Sequence, residues 1–365
     1  MYSLYSLFSP GSLCSACSLT NARTVAFEVL RKVHRGGYAS DLLRACPLDS
    51  REAGLASEIV FGCLRYQAQL DYLISLWVAA KLDIEVRMAL RMGIYQLRYL
   101  DRIPRHAAVT ESVELVKLAR KRSAAGLVNA VLRKVNRDPV DWPDRATALS
   151  MPAWLLERWD RQFGSEVSWK IAEAALKQPE TYIASTGRTQ DIGSQSIVPL
   201  LDLKPGLSFL DLCAAPGNKT AQALEYGVQA IACDIHPHRL EALTGLSCRR
   251  VALDGAYSLP FSTRFDRILV DAPCSGTGTL GRNPEIKWRL QASDLPALHR
   301  TQVALLKNAL DHLAAGGKLV YSTCSLEEEE NEQVIAEMPG EWALSHRIPG
   351  LEAGDGFFAA MLISI

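Results

Sequence analysis

The sequence lacks an excess of charge of either sign, and it lacks long apolar runs. Its 365 residues contain 40 Lys and Arg against 40 Asp and Glu, so the formal net charge is zero. Such a chain does not bind nucleic acid by bulk charge, and any basic surface must be local. No stretch approaches the roughly 18 consecutive apolar residues of a spanning helix. Residues 1–20 are fairly apolar but have no basic start, so we expect neither a signal peptide nor contact with a membrane.

Cysteine is also sparse. The nine cysteines are too irregularly spaced for a disulfide framework in a chain of this length, which favours a reducing, cytoplasmic setting. Cys14 and Cys17 have the spacing of half a zinc site, but no second pair of ligands accompanies them. We therefore expect no metal site, and we expect residues 1–20 to be a flexible leader.

Three further segments follow from changes in pattern along the chain. Residues 21–137 have apolar residues at helical spacing and no strand signal, which predicts an all-α domain in which Ser50 caps a long helix. Residues 138–190 begin with two prolines in six residues and are predicted to form a linker and a reduced helical subdomain. In residues 191–365 short strand-like runs alternate with helical ones, which predicts an α/β Rossmann-like domain.

Local charge is concentrated in the second half of the all-α domain. Residues 87–137 contain twelve Lys and Arg against three Asp and Glu. Such a cluster either forms solvated helix faces or contacts the phosphates of a nucleic acid. For the second interpretation the candidate residues are Arg120, Lys121, Arg122, Arg133 and Lys134.

Acidic residues lie at the ends of the first three predicted strands. They are Asp211, Asp234 and Asp254. Ligands of a doubly wound sheet bind outside the carboxyl ends of its strands, where a carboxylate suits ribose hydroxyls. The loop after the first of these strands has neither the G-x-G-x-x-G pattern nor a P-loop, which argues against hydride transfer and nucleotide hydrolysis. The acids therefore predict a pocket for a nucleoside without phosphates, and S-adenosylmethionine fits that description.

Two cysteines follow two later strands, in Asp271-Ala-Pro-Cys-Ser275 and in Ser322-Thr-Cys-Ser325. A lone buried cysteine is usually a small core residue, but two at the ligand-binding edge of a sheet predict a reactive site. The acidic run that comes next, residues 327–330, is interpreted as a solvated helix start rather than a metal site.

These motifs resemble those of a known family. Together with Asp211-Leu-Cys-Ala-Ala-Pro-Gly217 they are similar to the motifs of RNA cytosine-C5 methyltransferases, and Gly354-Asp-Gly-Phe-Phe-Ala359 is similar to the closing motif. The stretch Gly126-Leu-Val-Asn-Ala-Val-Leu-Arg133 resembles the NusB-like RNA-binding domain of one branch, the Sun/Fmu (RsmB) type, which acts on 16S ribosomal RNA. The resemblance covers nearly all of residues 21–365.

The resemblance implies a role for each site residue. Cys324 would add to C6 of cytosine, Cys274 would assist release of the methylated base, and Asp271 would hydrogen-bond or protonate N3. Lys219 is predicted to lie near Cys324 or Asp271, the alternative being a lysine that faces solvent. The residues assigned to S-adenosylmethionine are Cys213, Ala214, Ala215, Pro216, Gly217, Asn218, Lys219, Asp234, Arg239, Asp254, Asp271 and Pro273.

The stretch after the fourth strand has two interpretations. In the first it covers an unstacked target base, with Trp288 stacked on the base and Arg282 and Arg289 at phosphates. In the second it is a packed surface loop.

The sequence departs from the family pattern at two places. Asn218 stands where the family usually has Gly, and we expect the loop to survive because Asn tolerates left-handed backbone. Family members also carry a small RNA-recognition-like subdomain with an Arg-Val-Asn motif, most of which is missing between Thr181 and Asp191. We expect an intact methyl-transfer site and an altered RNA affinity or target choice.

The preferred partner is 16S ribosomal RNA or a small-subunit assembly intermediate, with a monomeric protein as the default. The alternatives are a transfer-RNA cytosine-C5 methyltransferase, a methyltransferase acting on DNA or protein, and a non-catalytic NusB-like RNA-binding factor. The presence of both Cys274 and Cys324 argues against the last of these.

Overall fold

In the computed structural model of this chain, residues 21–364 are described. Cys14, Cys17 and the predicted leader lie outside the described residues. The described chain forms two compact units. The helical unit comprises residues 21–172 and Arg282–Arg289, and the sheet unit comprises Glu173–Gly281 and residues 290–364. The boundary between Ala172 and Glu173 falls within the segment that was assigned to the linker and reduced subdomain.

The helices of both units are numbered together in chain order. They are α1 (Ala22–His34), α2 (Ala39–Arg44), α3 (Ser50–Arg65), α4 (Gln67–Ser75), α5 (Ile84–Tyr99), α6 (Arg105–Leu118), α7 (Ala125–Lys134), α8 (Arg145–Ala148), α9 (Ala153–Phe163), α10 (Ser165–Ala174), α11 (Ile192–Gln195), α12 (Asn218–Leu224), α13 (Ile286–Arg289), α14 (Leu295–Asp311) and α15 (Glu332–Ala336). Within residues 21–137 the structure has helices and turns only, so the all-α prediction is confirmed. None of the helices among residues 21–364 combines the length and the apolar character needed to cross a membrane.

The start of α3 differs from the prediction. Asp49, not Ser50, caps the helix, because its carboxylate accepts the backbone N–H groups of Arg51 and Glu52, both at 2.9 Å. An aspartate at this position satisfies donors that have no partner within the helix. The predicted long helix is also two helices, since α3 ends at Arg65 and α4 begins at Gln67.

The sheet unit contains seven strands. They are β1 (Ser208–Asp211), β2 (Gln229–Asp234), β3 (Arg249–Ala252), β4 (Phe265–Asp271), β5 (Leu313–Thr323), β6 (Glu341–Arg347) and β7 (Phe357–Ser364). Their order in the sheet is β3-β2-β1-β4-β5-β7-β6. The first five strands are parallel and β7 is antiparallel to both of its neighbours, which confirms the Rossmann-like prediction. The edge strand β6 was not predicted.

Alternating side chains of the central strands fill two cores, as the period of a strand requires. Leu210, Ile268 and Tyr321 pack on one face, and Phe209 and Leu269 pack on the other. This burial on both faces fixes β1, β4 and β5 side by side. Their carboxyl ends therefore deliver three loops to one edge of the sheet, at the point where the strand order reverses between β1 and β4.

The segment in which the RNA-recognition-like subdomain was expected to be largely missing is a short turn. Ile183 and Thr189 form an isolated antiparallel bridge around Gly187, whose φ is 73°. The chain then enters α11, which Asp191 caps by accepting the N–H of Gly193 at 2.8 Å.

Candidate active site

The two cysteines of the predicted site lie side by side. The Sγ atoms of Cys274 and Cys324 are 3.4 Å apart, one in the loop after β4 and the other directly after β5. The backbone N–H of Gly278 donates to the carbonyl of Cys324 at 2.9 Å and ties the two loops together. A side chain at Gly278 has no space, because its Cβ would lie 2.5 Å from the carbonyl oxygen of Gly356.

The two thiols are not equivalent. The hydrogen bond that Cys274 shares with Cys324 raises the pKa of Cys274 well above its usual range, and burial adds to this effect. Either sulfur can be the donor of this hydrogen bond. A thiolate is the nucleophilic form of cysteine, and the raised pKa disfavours the thiolate at Cys274. This difference is consistent with the predicted roles, in which Cys324 is the nucleophile.

Asp271 at the end of β4 is held from two sides. Its Oδ2 lies 2.7 Å from Nζ of Lys219, and its Oδ1 accepts the hydroxyl of Ser322 at 2.8 Å. Asp271 and Ser322 are register partners on β4 and β5, which brings their side chains together. Lys219 is largely buried in the first turn of α12, and its Nζ lies 5.3 Å from the ring centre of Phe357. Of the two alternatives for Lys219, the structure therefore has the one in which it contacts Asp271.

The loop from Cys213 to Lys219 connects β1 to α12. Gly217 has a φ of 96°, and its Cβ would lie 2.6 Å from Leu243, so this position requires glycine. The reason given for tolerance of Asn218 is wrong, because the left-handed residue is Gly217 and Asn218 is the first residue of α12. Asn218 instead donates from Nδ2 to the carbonyl of Thr189 at 3.1 Å. The substituted side chain thus attaches the short turn to this loop.

The acidic residues at the three strand ends differ in their surroundings. Asp211 is buried and accepts the hydroxyl of Thr220 at 2.6 Å, and burial raises its pKa to about 7. It supports the loop more than it lines a pocket. Asp234 accepts the N–H of His236 at 2.9 Å and lies 3.7 Å from Arg239. Asp254 accepts the N–H of Ala256 at 3.0 Å.

These surroundings fit S-adenosylmethionine. Ile235 directly follows Asp234 and is 52 % exposed, and Tyr257 follows Asp254 by three residues and is 73 % exposed. Carboxylates next to exposed apolar side chains suit a ribose and a flat purine, and their charge suits a cationic cofactor. The residues that would hold the cofactor are thus Asp234, Asp254 and the Cys213–Lys219 loop.

The acidic run after Cys324 is not a solvated helix start. Glu327 and Glu330 are fully buried, whereas Glu328 is exposed. Glu328–Glu330 form a single turn of 3₁₀-helix between β5 and α15, and this turn is partly buried. Glu330 is therefore part of the site that sequence reasoning missed. The sequence signal that could have found Glu330 is its position, six residues after Cys324 and shortly after the end of β5.

The basic cluster of the helical unit is partly structural. Arg98, Arg105 and Arg137 donate to backbone carbonyls near the ends of α5 and α7, and Lys121 pairs with Asp83 at 2.8 Å. These contacts use charges that the sequence counted toward a phosphate-binding surface. The candidate residues with exposed side chains are Arg120, Arg122, Arg133 and Lys134.

The stretch after β4 packs within the helical unit. Trp288 donates from its indole to the carbonyl of Leu64 at 2.8 Å, and Arg289 donates to the carbonyl of Val33 at 3.1 Å. Arg282 is half-buried in the same segment. The structure therefore favours the packed alternative for this stretch over a cover for the target base, because the polar groups of Trp288 and Arg289 already bind the protein.

Comparisons with known proteins identify the family of the chain. A family model described as 16S rRNA methyltransferase RsmB/F matches residues 198–341, and a NusB family model matches residues 20–137. The chain is 32% identical to ribosomal RNA small subunit methyltransferase B of Escherichia coli O1:K1 / APEC, over 94% of this chain and 98% of the relative. It is 30% identical to the probable ribosomal RNA small subunit methyltransferase B of Bacillus subtilis (strain 168), over 87% of each. The crystal structure of the protein PH0851 shares the fold, with a TM-score of 0.74 at 20% identity over 94% of this chain and 99% of that chain.

The fold and the comparisons define an RNA methyltransferase that uses S-adenosylmethionine, with a NusB domain ahead of a Rossmann-like domain. The chain belongs to the ribosomal RNA small subunit methyltransferase B family. Its alignment to the Escherichia coli relative spans 427 positions, more than the 365 residues of this chain, so the relative has segments that this chain lacks.

Proposed function

We propose that the protein methylates C5 of a cytosine in RNA, and that this RNA is 16S ribosomal RNA or a small-subunit assembly intermediate. The observation that supports this best is the pair of thiols at the ends of β4 and β5, with sulfur atoms 3.4 Å apart. Transfer to an atom that is already nucleophilic has no use for two thiols. Methylation at C5 needs both a covalent adduct and its release, and so uses both.

Cys324 starts the reaction. Its thiolate forms a bond to C6 of cytosine, and the electron pair of the C5–C6 double bond moves toward C5 and the ring nitrogen N3. C5 becomes nucleophilic only through this addition. S-adenosylmethionine supplies the methyl group that C5 then accepts.

Asp271 acts on the ring nitrogen. Its carboxyl group either hydrogen-bonds N3 or supplies a proton to it as charge develops there, and Lys219 and Ser322 hold this group in place. A positioned acid of this kind contributes about 10²–10⁴-fold to rate.

Cys274 assists the release of the product. The C5 proton leaves, the bond between sulfur and C6 breaks, and the C5–C6 double bond forms again, which returns Cys324 as a thiolate. Cys274 assists this step either as the base for the C5 proton or through another group, and its sulfur lies 3.4 Å from that of Cys324.

The helical unit binds the RNA. Its exposed cations Arg120, Arg122, Arg133 and Lys134 suit phosphates, and the target base must leave its stack to reach the thiols. The short turn at Gly187 in place of a subdomain supports a target affinity different from that of longer relatives. We place this activity in the cytoplasm and take one copy of the chain as the working unit.

The test is methyl transfer from labelled S-adenosylmethionine to small-subunit RNA and, in parallel, to transfer RNA, with the modified base mapped. The wild type is expected to form 5-methylcytosine in 16S ribosomal RNA. Cys324→Ala is expected to form none, and Cys274→Ala is expected to remain covalently attached to RNA through denaturing electrophoresis. A wild-type protein that binds RNA but methylates neither substrate contradicts the proposal and favours a NusB-like binding factor. Methylation of transfer RNA alone would show that the substrate is transfer RNA rather than 16S ribosomal RNA, and the proposed mechanism would be unchanged.

A further inference from the structure

One buried carboxylate next to the two cysteines has no part in the mechanism above. Glu330 is 0% exposed in the turn between β5 and α15, although Glu328 in the same turn is exposed. A buried carboxylate costs much free energy unless it is hydrogen-bonded. Its partners therefore indicate what this side chain does.

Four neutral donors bind the Glu330 carboxylate. Oε1 accepts the backbone N–H of Ser275 and the side-chain amide of Gln302, both at 2.9 Å. Oε2 accepts the hydroxyls of Ser275 and Ser325, both at 2.5 Å. These donors satisfy both oxygens of an ionised carboxylate.

The two serines are the residues that directly follow the two cysteines. Ser275 follows Cys274 in the loop after β4, and Ser325 follows Cys324 after β5. We propose that Glu330 is a positioning residue that sets the separation of the two cysteines by binding the serine next to each of them. This inference rests on the proposed two-thiol mechanism.

Gln302 extends the same contact to the other side of Cys274. Its Nε2 donates to Glu330 and also, at 2.9 Å, to the carbonyl of Pro273. Cys274 is thus held at the residue before it and at the residue after it by one connected set of hydrogen bonds. Rotation of this loop would separate the two sulfur atoms, and the carboxylate prevents that rotation.

The charge of Glu330 has a second consequence. After the hydrogen bond to Cys324 and burial, negative charge at Glu330 is a further cause of the raised pKa of Cys274. A neutral residue at position 330 removes that contribution, so the pKa of Cys274 falls. A shift in the pH–rate profile is expected from this and not from a loss of packing alone.

Glu330→Gln keeps the size of the side chain but replaces one acceptor with a donor that faces other donors. Release depends on Cys274 more than addition does, so we expect kcat to fall about 10- to 100-fold, as a small misplacement of a reacting group does. We expect the fraction of protein covalently bound to RNA at steady state to rise toward that of Cys274→Ala. The KM for S-adenosylmethionine is expected to stay unchanged. The limb of the kcat profile that Cys274 controls is expected to move to lower pH.

Glu328→Gln is the matched control, because it changes an exposed glutamate of the same turn, and it is expected to behave as the wild type. The inference is overturned if Glu330→Gln lowers kcat but leaves the fraction bound to RNA and the pH profile as in the wild type. Glu330 would then only stabilise the fold. If Glu330→Gln does not fold, Ser325→Ala decides by kcat and by the fraction covalently bound to RNA, because it removes one donor and keeps the carboxylate. The proposed function itself fails if the wild type forms no 5-methylcytosine and Cys274→Ala forms no adduct. This failure is seen without the Glu330 variants, so it is distinguishable from failure of the inference about Glu330.

Discussion

Lys219 places its ammonium group 2.7 Å from Oδ2 of Asp271 and so joins the loop after β1 to the end of β4. The lysine is 9% exposed, and its charge therefore acts on Asp271 with little screening by water. In the proposed mechanism, this ion pair orients the carboxyl group that meets the ring nitrogen of the target base.

Lys219→Met is expected to lower the single-turnover rate of methyl transfer by about 10²-fold, the cost of a misplaced catalytic group. Lys219→Arg keeps the charge but has a planar, larger head, so we expect only partial recovery. Lys307→Met is the control. Lys307 pairs with Glu337 at the protein surface, and both residues are distant in sequence from Lys219 and Asp271. Equal rates for Lys219→Met and the wild type would contradict the role of this ion pair.

The 3.4 Å separation of the Cys274 and Cys324 sulfurs also predicts sensitivity to oxidants. Hydrogen peroxide is expected to convert the two thiols to a disulfide, with release of two molecules of water and complete loss of methyl transfer. Dithiothreitol should restore the activity by reducing that bond. Peptide mass spectrometry checks the linkage, and Cys274→Ala should form no such bond. Inactivation that dithiothreitol does not reverse would show that the sulfurs do not pair.

Most of the strands that the sequence predicted have side chains buried on one or both faces, and their branched and aromatic residues carry that burial in the local pattern. Strand β3 is the exception, because it was predicted although only Val251 on it is partly buried. Strand β6 escaped detection because it is an exposed edge, and Glu341, Leu344 and His346 on it all face water. An exposed strand therefore carries a weaker local signal than a buried one.

The candidate site shows the same limit. Cys274, Cys324 and Asp271 were predicted because each follows a strand end in a short motif. Glu330 was interpreted as solvated because four acids in succession usually face water. Its burial is visible only in the tertiary fold. There Glu330 contacts Ser275, which lies 55 residues earlier in the chain.

Position 278 offers a test of how tightly the two cysteine loops pack. A Cβ at Gly278 would lie 2.5 Å from the carbonyl oxygen of Gly356 and 2.8 Å from that of Cys324, and backbone atoms cannot move aside as side chains do. Gly278→Ala is expected to destabilise the protein by about 1–3 kcal/mol and to abolish methyl transfer by displacing Cys324. Gly281→Ala is the control, because its nearest neighbours lie 3.4 Å away. The close packing would be contradicted if Gly278→Ala and Gly281→Ala had the same thermal unfolding and the same activity.

The burial of the Lys287 side chain predicts that the stability of the helical unit depends on pH. It is 1% exposed and donates to the carbonyls of Arg65 and Ser150 at 2.8 and 2.9 Å. Burial, with a smaller effect of the Arg65 charge, lowers its pKa to about 7. A neutral amine still has two N–H groups, enough for both carbonyls.

Between pH 7 and the usual lysine pKa of about 10.4, the unfolded chain therefore binds a proton that the folded chain does not. Stability must rise with pH in this window, by up to about 1.4 kcal/mol per pH unit, and the gain must disappear as the pH falls to 7. Lys287→Met removes this contribution, so the difference in urea midpoint between wild type and variant should change steadily from pH 7 to pH 10. Lys134→Met, at an exposed position of the same unit, should differ from the wild type by a constant amount. A constant difference for Lys287→Met as well would show that Lys287 remains charged in the folded protein.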